Sequence, residues 1–153
     1  MTIEKSFQDL GSVTNCFGCG ADNSKGLQIK SFWDGEESVC VWKPDQKYCG
    51  GSKNILYGGT IASLIDCHSV NLAIANIYKE ENRKIGSEPK IFCVSANLNI
   101  SLKKPVDINK EVLLKAKIKS KEGRKTWVIC KLSQDDNICA EGEVLAVRLK
   151  ESY

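Results

Sequence analysis

A chain of 153 residues with 42% apolar side chains suffices for one hydrophobic core and is too apolar for disorder to be the default. Its formal net charge of +3 is too small to favour nucleic acid, so no nucleic-acid partner is expected. No run approaches the roughly 20 apolar residues that cross a bilayer, and the polar start Met-Thr-Ile-Glu-Lys lacks the apolar core of a signal peptide. No membrane partner and a cytoplasmic location are therefore expected. In that reducing setting the eight cysteines are expected as free thiols, with Cys40, Cys93, Cys130 and Cys139 serving as small hydrophobes inside strand-like runs.

In chain order, residues 1–15 lack periodicity and read as a partly ordered leader to a single domain over 16–150. Cys16-Phe-Gly-Cys-Gly is a compact turn. Residues 27–33 and 38–42 read as strands joined through Asp34-Gly35, a strong hairpin signal. Residues 57–78 change character: rich in alanine, leucine and isoleucine, apolar almost all round, and too long for one strand. That pattern predicts a helix buried on every side. Beyond Pro89 the period falls to two. Ala96, Leu98, Ile100 and Leu102 alternate with polar residues, as do Leu114, Ala116 and Ile118, and 124–132 and 139–149 give two more strands. Antiparallel strands around one long helix define an α+β fold, a curved sheet wrapped around a central α-helix.

Asp66 is the one formally charged residue in 57–78. A carboxylate in apolar surroundings is costly unless it is paired, hydrogen-bonded or open to a cavity, and it reads either as a bonded core group or as a functional acid. Gly58-Gly59 opens the helix, where unpartnered amides and the positive dipole end suit a carbonyl oxygen that becomes anionic under attack. Seven residues separate Gly59 from Asp66, about 10 Å along the axis. One reacting carbon does not readily touch both from a single helix. Two antiparallel copies would bring one chain's Gly59 to the other's Asp66, so a homodimer is expected.

Leu56-Tyr-Gly-Gly-Thr-Ile-Ala-Ser-Leu-Ile-Asp66 resembles the His-Gly-Gly…Asp signature of PaaI-like hotdog-fold acyl-coenzyme A thioesterases. Cys16-Phe-Gly-Cys-Gly with Gly26-Leu27, and the strand from Ser95 to Pro105, resemble further parts of that family, so the likeness runs from Cys16 to Val147. The resemblance implies a hotdog fold and hydrolysis of an acyl-coenzyme A thioester, with coenzyme A as part of the substrate and no separate cofactor. It implies Asp66 as general base or nucleophile, the Gly59 amide as the carbonyl site, and Ser95 as a hydroxyl that helps hold water. It also implies Gly58, Lys121, Gly123, Arg124 and Lys125 near the coenzyme A, and a dimer of dimers. Tyr57 departs from the motif, standing where the family has histidine and shaping the glycine loop in its place. Gly51 departs too, near a loop position where many relatives carry a polar residue.

Three rival readings follow from the same residues. A hydratase or dehydratase would want His68 beside Asp66, yet two residues along a helix place them ~200° apart. A non-catalytic module would hold an acyl-coenzyme A without cleaving it. Cys16-x-x-Cys19 is half of a structural zinc site that Cys49, Cys67 or His68 would have to complete; with no second close cysteine pair, no metal is expected.

Overall fold

The computed structural model describes residues 3–151. Six strands form one sheet: β1 (Phe32–Asp34), β2 (Glu37–Trp42), β3 (Cys93–Leu102), β4 (Val112–Glu122), β5 (Lys125–Gln134) and β6 (Asn137–Arg148). Their spatial order is β1-β2-β4-β5-β6-β3, and every neighbouring pair is antiparallel. Tight turns set three of the registers. Gly35 and Gly123 have φ of 64° and 57°, and Asp135 and Asp136 have 48° and 63°, the left-handed geometry that two-residue hairpins require.

A short helix, α1 (Phe7–Leu10), precedes the sheet, and the long helix α2 (Gly58–Glu80) lies across its concave face. The core forms where alternate strand residues meet α2. Leu114, Val128, Cys130, Leu132, Ala140, Val144 and Ala146 from the sheet are fully buried, as are Leu64, Ile65, Leu72 and Ala73 from the helix. Gly142 sets the approach of the two layers, because a Cβ there would lie 2.7 Å from Ile65 Cγ2. This helix-wrapped antiparallel sheet is the hotdog architecture.

The leader contributes to the same core. Ser6 and Asp9 form a reciprocal capping box on α1, and the Phe7 ring meets Trp33 edge-on at 5.1 Å between centroids.

Three expectations require correction. The first strand is shorter than residues 27–33, because Gln28 adopts a φ of 53° and breaks the extended run. The Gln28 amide instead donates to the Gly20 and Asn23 carbonyls, while Trp42 Nε1 donates to the Leu27 carbonyl at 2.7 Å.

Secondly, α2 is not buried on every side. Gly59, Ala62, Ser63, Asp66, Cys67 and Val70 form a half-exposed stripe at the three- and four-residue spacing of one helix face. The sheet covers only the opposite side. Thirdly, α2 is by length and composition long and apolar enough to cross a membrane, although most of it is buried within the fold.

The two sheet edges differ. One is the three-residue β1; the other is the ten-residue β3. On β3 the apolar residues Leu98 and Leu102 are 43% and 58% exposed. This long edge runs beside the open stripe of α2, since a Cβ on Gly58 would touch Leu102 Cδ1 at 3.0 Å.

Candidate active site

Asp66 projects from the open stripe of α2 into a cavity of about 240 Å³, whose lining includes Ser95, Cys16, Cys67, Val70 and Ile74. Burial pushes its carboxyl above the ordinary aspartate value, and a hydrogen bond from Ser95 opposes that rise. A backbone irregularity lies beside Ser95. The register between β3 and β6 slips between Ser95 and Asn97, the sign of a β-bulge that lets a strand re-aim a side chain. The cavity therefore contains an acid and a hydroxyl that favours its ionised form.

The start of α2 forms a second, separate groove of about 390 Å³, bounded by Gly50, Gly51, Tyr57, Gly58, Leu102 and Lys104 among others. Tyr57 is the N-cap but supplies no side-chain cap. Its carbonyl accepts the amides of Thr60 and Ile61, leaving the Gly58 and Gly59 N–H groups at the helix mouth, where α-helices lack internal partners. The Tyr57 ring packs directly over Gly59; a Cβ there would lie 2.3 Å from a ring carbon. The ring is nonetheless 58% exposed, so one of its faces is available to an incoming molecule.

The basic turn lies at the other end of the helix. Lys121 forms an ion pair with Glu80, on the last turn of α2, and Arg124 donates to the Arg148 carbonyl at 2.9 Å. Gly123 has positive φ and is the tip of the β4–β5 turn, with Lys125 exposed beside it. Within one chain, then, Asp66 and Ser95 come together, Tyr57, Gly58 and Gly59 come together, and Lys121, Gly123, Arg124 and Lys125 form a third group. These three groups do not converge.

His68 faces away from this cavity. It is fully buried, with Nδ1 2.7 Å from Ser31 Oγ and Nε2 3.1 Å from Ser38 Oγ. Gln8 completes the network by bonding both the hydroxyl and the amide of Ser31. Burial pushes the imidazole down to about 4, so it is neutral at physiological pH. No histidine–carboxylate pair of the dehydratase kind exists among the described residues.

Of the three residues that could have joined Cys16 and Cys19, the fold brings up Cys67. Cys16, Cys19 and Cys67 bring their sulfurs within 4.8 Å of one another on the wall of the Asp66 cavity. The Cys-x-x-Cys turn and the cysteine after Asp66 were both visible in the sequence. Their meeting across 51 positions is a tertiary event with no local signal.

Fold and site together define a class, the hotdog proteins that carry an acid on a central helix. A thioesterase superfamily protein from Shewanella loihica PV-4 is 32% identical, with 84% of this chain and 97% of that one aligned at a TM-score of 0.64. The chain belongs to the PaaI-like hotdog-fold thioesterase superfamily.

The E. coli PaaI protein from the phenylacetic acid degradation operon shares the fold at a TM-score of 0.68 and 14% identity, over 86% of this chain and 89% of that one. Among curated proteins, the acyl-coenzyme A thioesterase THEM4 of Bos taurus is 25% identical over 141 residues, which are 91% of this chain and 52% of that protein. The chain thus spans about half the length of the curated relatives it matches. No family model matches the sequence.

Proposed function

We propose that this chain hydrolyses an acyl-coenzyme A thioester at a site shared between two antiparallel copies. The observation that carries this reading is the separation of the acid cavity from the helix-mouth groove along one open face of α2. Neither half suffices. An antiparallel second copy lays the Gly59 end of one helix against the Asp66 region of the other, and the long, partly apolar β3 edge beside that face offers the strand pairing to hold it there. The same arrangement brings the Lys121–Lys125 turn of one copy towards the helix mouth of the other. There Gly123, Arg124 and Lys125 would meet the phosphates of coenzyme A, with Gly58 against its thioester end. A dimer of dimers is the assembly that the family likeness favours.

In the proposed chemistry the thioester oxygen accepts a hydrogen bond from the Gly59 amide. Negative charge then develops at the positive end of the α2 dipole. Asp66 takes the proton of an attacking water held with Ser95, or attacks the carbonyl itself to give an anhydride that water opens. Thiolate leaves readily and needs little acid assistance. Tyr57 keeps the glycine loop in shape through its ring over Gly59. The domain over 16–150 carries these parts, with the leader docked on it, and the abundance of free thiols suits a reducing cytoplasmic setting.

A thiol-release assay across short, medium, long and aryl acyl-coenzyme A substrates tests the reading. Turnover that falls at least about a hundredfold in Asp66→Asn supports it. Binding of the panel without turnover by the wild type would instead identify a module that holds acyl-coenzyme A.

A further inference from the structure

We propose that Cys16, Cys19 and Cys67 form a three-thiolate site for zinc, with a water from the adjoining cavity as the fourth ligand. This goes beyond the hydrolytic reading and does not rest on it. Cys16 and Cys19 supply two sulfurs from one turn, and Cys67 on α2 supplies the third.

The geometry is that of a ligand set. Cys16 Sγ lies 3.8 Å from Cys67 Sγ, and all three sulfurs fall within 4.8 Å of one another. Zinc–sulfur bonds of ~2.3 Å at tetrahedral angles place thiolates about 3.8 Å apart, so one edge of the tetrahedron is already set and no edge needs to close by more than about 1 Å. A disulfide needs its sulfurs at ~2.05 Å and would leave the third cysteine without a role.

The backbone is shaped to bring these sulfurs together. The Gly20 amide closes the Cys-x-x-Cys turn on the Cys16 carbonyl at 2.8 Å. A Cβ on Gly20 would lie 2.4 Å from the Cys16 nitrogen and from the Thr14 carbonyl oxygen, and one on Gly18 would lie 2.3 Å from Cys67 Sγ. Glycine at position 20 lets the turn close on itself, and glycine at position 18 lets it seat against Cys67 of α2. Ordinary apolar packing of a cysteine makes no such demand on its neighbours.

An amide donor also meets the cluster, as one does beside a bound thiolate. Asn71 Nδ2 donates to Cys19 Sγ at 3.4 Å while its second bond, to the Cys67 carbonyl, fixes the amide. Such outer hydrogen bonds orient metal ligands and moderate their charge. Binding of the divalent cation displaces the thiol protons to solvent, and no electron is transferred.

The test uses the full chain, purified under reducing conditions, dialysed after incubation with zinc, and assayed for metal content. Cobalt(II) substitution adds an optical readout. The expected result is one zinc per chain, and a cobalt form with the visible bands of tetrahedral coordination and sulfur-to-cobalt charge transfer in the near ultraviolet. Cys16→Ser and Cys67→Ser each weaken zinc binding at least about a hundredfold, with circular dichroism confirming that they fold. Cys49→Ser, at an exposed thiol, and Asp66→Asn leave the metal in place, so loss of turnover in the latter stays separable from loss of the site. Folded wild-type protein that retains no zinc and gives no thiolate–cobalt bands would overturn the proposal. So would loss of metal in Cys49→Ser equal to that in Cys67→Ser.

Discussion

The Ser95 hydroxyl bonds the Asp66 carboxylate across the gap between β3 and α2, opposing the rise in pKa that burial imposes on this acid. Its removal leaves desolvation unopposed. In Ser95→Ala the acid limb of the rate profile therefore moves to higher pH, because a carboxyl that holds its proton longer is a base over a narrower range. Rates measured against pH for both proteins check this; an unmoved limb would separate Ser95 from the titration of Asp66.

His68 ties stability to pH. The folded protein holds its buried imidazole at about 4, below the ordinary histidine value of about 6.5, so the unfolded chain takes up the proton first as pH falls. Stability is full above about pH 6.5 and is lost progressively down to about pH 4, with about 2 kcal/mol gone between pH 7 and 5. Urea unfolding at those two values measures the loss, and His68→Gln flattens this part of the profile.

Gly142 is the position at which the sheet admits α2. Gly142→Ala places a methyl group 2.7 Å from Ile65 Cγ2, and overpacking of that kind costs about 1–3 kcal/mol. A lower urea midpoint with an unchanged slope is the expected signature.

The β3 edge carries the proposed dimer. Leu98 is 43% exposed there, and Leu98→Lys sets a charge on each copy of the pairing edge. Sedimentation is expected to show an even-numbered assembly for the wild type and a monomer for the variant, with turnover lost alongside assembly. An active monomer would refute the shared site.

Much of this molecule was legible in its sequence. The Asp34-Gly35 turn acts locally, so the hairpin it closes was visible. The apolar run over residues 57–78 showed the core helix, and Asp66 stood out as its one charge. Gln28 hid its left-handed backbone inside an otherwise strand-like run. The open stripe of α2 was hidden as well, because glycine, alanine, serine and cysteine mark neither a core nor a polar face. The bulge beside Ser95 and the meeting of Cys67 with Cys16 depend on packing between distant segments, and neither leaves a periodic trace.

Complementation between two defective chains tests the shared site most directly. Asp66→Asn retains a sound helix mouth, and Gly59→Val, which drives the Tyr57 ring off the amide, retains a sound acid. Each alone is expected to be inactive. When equal amounts are refolded together, half of the dimers are mixed and each holds one intact site, so activity returns to about a quarter of the wild-type value. Mixed protein as inactive as its parents, with heterodimers shown to have formed, would mean that Gly59 and Asp66 do not act across copies.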